Sequence, residues 1–210
     1  MNDDFFLDTY DSGVGSTIVF THGWTDNRNA WDGVITNLND HARCIAWSIR
    51  GHGESFAPPP GQYTRDHTLS DLKVITQRSK EKVILAGHSL GGYLSLAHSL
   101  LYPEDVEALI LVGAGPGFRK KESIDQWNSS VIESAKKLDL PEGSEATALH
   151  TDAWVIDSLS EIKVPTLVIV GEHDKRFKAS MSVFEKYLNV KSSVVVEDAG
   201  HSVHRKRPLE

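Results

Sequence analysis

Six short runs of apolar, largely β-branched residues punctuate the chain: STIVF (16–20), RCIAWSI (43–49), KVILA (82–86), ALILVG (108–113), TLVIV (166–170) and SVVVE (193–197). They are apolar at odd and even positions alike, the pattern of strands covered on both faces. Between most of them lie amphipathic stretches with helical spacing, NAWDGVITNL, TLSDLKVITQRS, LGGYLSLAHSLLY and FKASMSVFEKYL. The second opens with Thr68 and Asp71 at capping-box spacing, and the third stops just before Pro103. Strand and helix alternate throughout. The chain is therefore expected to form an α/β fold with a mainly parallel sheet, helices on both sides.

One interval breaks the alternation. From about Gly115 to Ser160 there is no further strand, and two helical stretches, GPGFRKKESIDQWNSSVIESAKKLDL and GSEATALHTDAWVIDSL, are separated by the turn signal PEG at 141–143. A helical insertion between two parallel strands would lie over the strand ends, where open α/β sheets bind ligands. The expected division is a core of residues 1–114 and 161–210 and a short helical cap of residues 115–160.

Length and charge narrow the function classes. At 210 residues the chain suits one domain with a sizeable core. A formal net charge of −7, with no long basic stripe to offset it, argues against nucleic acid or an anionic membrane surface as partner. The clusters RKK (119–121) and HRKR (204–207) read as solvated faces. A single cysteine, Cys44, cannot close an intrachain disulfide, and its apolar neighbours suggest a buried strand in a reducing compartment. No apolar run approaches the length of a membrane span, and the acidic start MNDDFFLD lacks the basic region of a signal peptide. The expected location is the cytoplasm.

The segment LAGHSLGG (85–92) carries the chemistry. In Gly87-x-Ser89-x-Gly91 a serine is held on a tight strand-to-helix turn, with glycines where side chains would clash. A serine hydroxyl needs a base, and the base needs an orienting acid. His201 follows the last strand, and Asp174 ends the strand in VIVGEHD, so nucleophile, acid and histidine stand in the order Ser89, Asp174, His201. Glu172 and Asp198 are rivals for the acid; Asp198 stands too near His201 in sequence to reach it from a separate loop. Two N–H donors for an oxyanion are expected from Leu90, the residue after the nucleophile, and from Trp24, which follows His22-Gly23. His88, Trp24, Trp127 and Trp154 are candidate substrate contacts, although His88 also reads as a structural hydrogen-bonding residue and both Trp127 and Trp154 as core. Arg119 would meet a substrate carboxylate or remain solvated. His201 and His204, at i and i+3, lack the partners that would complete a metal site, so no metal or cofactor is expected.

Taken together, HGW (22–24), RGHGES (50–55), GHSLGG (87–92), GEHD (171–174) and AGHSVH (199–204) resemble the α/β-hydrolase superfamily. The resemblance implies a cofactor-free serine hydrolase working through an acyl-enzyme: Ser89 attacks, His201 shuttles the proton and Asp174 holds the imidazole. GEHDKRF and AGHSVHRKRP also look like segments of the cofactor-free lyase of menaquinone synthesis, whereas RGHGES and the short cap fit small carboxylesterases. Against the family pattern, the N-terminal hairpin and the C-terminal helix look shortened. A sheet face left bare in this way would be covered by a second subunit, a homo-oligomer. Three functions are thus in play: an esterase acting on small to medium acyl esters, a carbon–carbon hydrolase or lyase with the same triad, and a ligand receptor on a hydrolase scaffold.

Overall fold

The computed structural model describes residues 5–210. The six apolar runs become parallel strands, and a polar segment joins them at one edge. Strands β1 (Thr9–Ser12), β2 (Thr17–Thr21), β3 (Arg43–Trp47), β4 (Val83–His88), β5 (Val106–Val112), β6 (Pro165–Gly171) and β7 (Asn189–Val196) form a single sheet in the order β1-β3-β2-β4-β5-β6-β7. β1 runs antiparallel to β3, pairing Thr9 with Trp47 and Ser12 with Cys44. All other neighbours are parallel.

Because side chains alternate across a strand, each apolar run feeds two cores at once. Val19, Ile45, Trp47, Leu85, Leu109 and Leu111 point into one. Ile18, Phe20, Cys44, Ala46, Ala86 and Val112 point into the other. Helices α2 (Arg65–Thr76), α3 (Leu90–Leu101), α5 (Trp154–Ser158) and α6 (Lys178–Tyr187) close the first face with Leu72, Leu94, Val155 and Phe184. The second is closed by α1 (Asp32–Leu38) and the four-residue α7 (Val203–Lys206), through Ile35 and Val203. On that second face Ile84, Ile110, Ile169 and Val194 remain only half-buried.

Three local expectations are corrected. SVVVE reads as a doubly covered strand, yet β7 is the edge of the sheet, and Val196 is its one buried residue. The second helix starts at Arg65 rather than at Thr68, because Thr64 takes the extended cap conformation and its hydroxyl accepts the His67 N–H at 3.3 Å. Thr68 is buried inside the helix. Asp71 is engaged elsewhere: Arg50 grips it with bonds of 2.6 and 2.7 Å, tying the RGHGES loop to α2. Finally, the stretch GSEATALHTDAWVIDSL is not one helix but a 3-10 turn (Ser144–Ala148), an irregular loop and the short α5. Val155 and Leu159 sit in the first core, so this end of the 115–160 interval packs with the sheet, while α4 (Lys121–Ala135) buries Val131 alone.

Candidate active site

β4 ends at His88 and α3 begins at Leu90, which leaves Ser89 to make the whole turn. It does so at φ 51 and ψ −112, a conformation that costs a non-glycine residue about 1–3 kcal/mol. Surrounding structure enforces this strain. The Ser89 N–H donates to the Val112 carbonyl of β5 at 3.0 Å. Helix α3 packs so closely on β2 that a Cβ at Gly91 would collide with the Thr21 carbonyl, so the glycine there is a steric requirement. The elbow thus presents Ser89 to the cavity at the strand ends.

Asp174 lies three residues beyond β6 and is buried. Its Oδ2 is 2.7 Å from Nδ1 of His201, and its Oδ1 accepts the Phe177 N–H at 3.3 Å. With both oxygens engaged, the carboxylate cannot rotate freely. The bond to the carboxylate assigns the His201 proton to Nδ1 and leaves Nε2 as the acceptor. The Phe177 ring stacks on the imidazole at 4.9 Å with an interplanar angle of 17°. Beneath lies Gly113, at φ 51, where a Cβ would stand 3.2 Å from both Asp174 Oδ2 and His201 Nδ1. Ser89, Asp174 and His201 all open onto one cavity; among the described hydrogen bonds none joins Ser89 Oγ to His201.

His88 is buried behind this group. Its Nε2–H donates to the His201 carbonyl at 3.1 Å, and its ring packs against His201 at 4.6 Å and His204 at 4.2 Å. Burial, then the neighbouring His204 and His201, hold its pKa well below the ordinary imidazole range, so it is neutral. His204 in turn packs on Trp31 at 4.4 Å. It is a buried residue of the core.

The loop after β2 is set by another neutral histidine. His22 accepts the Ile49 N–H on Nε2 at 2.9 Å, which leaves its Nδ1–H to donate to the Gly23 carbonyl at 2.6 Å. Burial, and then His52, push the His22 pKa down to about 3. In a planar trans peptide the C=O and N–H point in opposite directions. Since His22 holds the Gly23 carbonyl, the Trp24 N–H of the same peptide points away from His22. A Cβ on Gly23 would lie 3.3 Å from that of Ser89, so this peptide borders the nucleophile. Leu90, at the first position of α3, has a free N–H by helix geometry. Both residues line the cavity.

The cavity measures about 910 Å³, a size suited to a small organic molecule. Trp24, His88 and Trp127 are in its walls. Trp154 is not: the Arg65 guanidinium lies 5.2 Å from its ring, and it packs on the first core, so its expected role as a substrate contact is withdrawn. Arg119 is also absent from the walls, paired with Asp157 at 2.6 Å. The rival acids Glu172 and Asp198 are exposed and bonded to each other through the Asp198 N–H. Together with His173 they form an exposed group whose ligand atoms lie within 4.8 Å of one another, outside the cavity. Wall residues that sequence reasoning missed include Tyr93, Phe118, His150, Arg176 and Phe177. For the last two the available signal was their place next to Asp174 in GEHDKRF.

Comparison with known proteins agrees with this architecture. The model of the alpha/beta hydrolase fold family matches residues 16–135. A Bacillus subtilis (strain 168) protein assigned as 2-succinyl-6-hydroxy-2,4-cyclohexadiene-1-carboxylate synthase is 27% identical, over 93% of this chain and 87% of its own length. The structure of a thermophilic esterase from Thermogutta terrifontis superposes with a TM-score of 0.81 at 26% identity, covering 96% of this chain and 88% of that one. An esterase from Exiguobacterium antarcticum gives a TM-score of 0.82 at 25% identity, over 95% and 90% of the two chains.

Proposed function

Because the chain belongs to the α/β-hydrolase fold family, we propose that it is a serine hydrolase that cleaves carboxylic esters of small to medium acyl chain. The observation that carries this is the joint placement of a strained Ser89 and a buried Asp174 bonded to His201 at 2.7 Å in the wall of one cavity. In this mechanism Ser89 Oγ attacks the ester carbonyl while His201 Nε2 takes its proton. Asp174 stabilises the imidazolium that forms. The carbonyl oxygen, now an oxyanion, receives hydrogen bonds from the Trp24 and Leu90 N–H groups. His201 then protonates the departing alkoxide, and the alcohol leaves. Water, deprotonated by the same Nε2, attacks the acyl-enzyme, and His201 returns the proton to Ser89 as the acid departs.

No metal or cofactor enters these steps. Among the described residues no helix is long and apolar enough to cross a membrane; a cytoplasmic location and a small-molecule ester as partner belong to the same proposal. Hydrolysis of p-nitrophenyl esters of increasing chain length tests it. Turnover of acetate or butyrate that disappears in Ser89→Ala supports an esterase; absence of turnover at every chain length contradicts it. A second reading is a carbon–carbon bond hydrolase or lyase with the same triad, Ser89 and His201 acting partly as a base; likeness to a 2-hydroxymuconate semialdehyde hydrolase from Pseudomonas sp. (strain CF600), 33% identical over 79% of this chain, favours it.

A further inference from the structure

Four residues with ionisable acid or guanidinium side chains lie in the cavity walls, Asp26, Asp174, Arg176 and Arg205, and three of them are engaged with a partner. Asp174 is bonded to His201, and Asp26 pairs with Arg205 at 3.1 Å. Arg176 has no ion-pair partner among the described residues. Its guanidinium lies 5.4 Å from the Trp127 ring centroid, and Trp127 meets His150 edge-on at 5.8 Å.

This plate is fixed in position. Trp127 Nε1–H donates to the Ala148 carbonyl at 2.8 Å, and the Asn128 side chain holds both backbone groups of His150, at 2.9 and 2.8 Å. His150 is buried, and its Nδ1 has no partner among the described residues. Burial, and then Arg65, push its pKa down to about 4, so near neutral pH the ring carries no charge. Ser123, Gln126 and Ser130 of α4 add further polar surface nearby. A cavity wall with one unpaired guanidinium, an aromatic ring beneath it and neutral polar side chains nearby favours a planar anion, which a guanidinium binds through two parallel N–H···O bonds.

We propose that Arg176, Trp127 and His150 form a subsite for a carboxylate carried by the substrate apart from its scissile bond. The substrate class is then a half-ester of a dicarboxylic acid, or an ester with a comparable acidic substituent. This rests on the proposal that Ser89 attacks a carboxylic ester, so its test needs one arm that does not depend on turnover. Arg176 is exposed, so added salt weakens the attraction.

The first arm compares methyl butanoate, pentanoate and hexanoate with monomethyl succinate, glutarate and adipate. At the chain length that reaches the guanidinium, Arg176→Gln raises KM for the acidic ester by about tenfold, the size expected for a charge-assisted hydrogen bond. The value of kcat and the neutral esters are unaffected, and Arg176→Lys recovers part of the loss. Equal effects on acidic and neutral esters at every length, or none, overturn the subsite. The second arm is calorimetric titration of the protein with adipate and with adipamide. Binding of adipate over adipamide that Arg176→Gln abolishes supports the subsite even if no ester is cleaved, an outcome that would instead count against the esterase. Adipate binding that is absent, or unchanged in Arg176→Gln, overturns the subsite whatever the esters show.

Discussion

Asp174 Oδ2 and His201 Nδ1 lie 2.7 Å apart, and the bond between them is enclosed by Phe177 on one side and Gly113 on another. Segments that follow three different strands, β5, β6 and β7, converge on this one bond. Its geometry is therefore a property of the sheet, since each segment leaves the same edge of a rigid scaffold.

Gly113→Ala is expected to damage catalysis more than stability. The added Cβ would press on both partners at 3.2 Å in a backbone conformation, φ 51, that alanine resists. The strain costs about 1–3 kcal/mol, while any displacement of the imidazole lowers kcat. Steady-state kinetics beside urea unfolding would separate the two; a variant with wild-type kcat would show that Gly113 does not constrain the bond.

Replacing Asp174 by Asn keeps the shape but removes the charge that stabilises a protonated His201. A fall in kcat of about 10³–10⁴ is expected, with KM little changed. Circular dichroism should show an intact fold. Retention of even a tenth of the activity would mean that another group holds the histidine.

At Trp24 the backbone, and not the indole, is assigned to the oxyanion. Trp24→Phe should keep kcat within a few fold, whereas Trp24→Pro, which has no N–H, should lower it by about 10²–10³. A melting curve run on both variants guards against simple unfolding. The assignment fails if a folded proline variant retains full activity.

Stability should fall steeply on mild acidification. Burial lowers the pKa of His22 and His204 to about 3, and that of His88 well below its ordinary value of 6.5. In the unfolded chain all three titrate near 6.5. Between that pH and about 3 the unfolded state binds protons that the folded state refuses, so stability rises with pH and is lost as pH falls. Each histidine contributes a slope of up to about 1.4 kcal/mol per pH unit. Urea unfolding at pH 7.5, 6.0 and 5.0 measures this directly, and His204→Phe should flatten the slope. A stability that is level from pH 7.5 to 5.0 would contradict the buried neutral state of these rings.

The parallel strands were legible because burial on two faces leaves an unbroken apolar run, as in Leu85 and Ala86, which serve opposite cores. β1 was not, since TYDS is an edge strand whose side chains are exposed or half-buried and carry no apolar signature. Ser89, Asp174 and His201 were named from motif order, because a strand-to-helix elbow and two strand-end loops dictate residue types locally. The cavity walls obey no such local rule. Trp127 lines the cavity and Trp154 does not, though both are tryptophans of the same interval, because α4 lines the cavity while α5 packs on α3. Phe177 and Arg176 escaped notice for the related reason that their roles depend on what stands opposite them in space.

The central claim, that Ser89 is the activated nucleophile, is tested most directly by labelling with a fluorophosphonate and mapping the adduct by mass spectrometry. One adduct per chain on Ser89 is predicted, formed much more slowly in His201→Ala and absent in Ser89→Ala. An unlabelled Ser89 in folded protein, or an adduct confined to another residue, would contradict it.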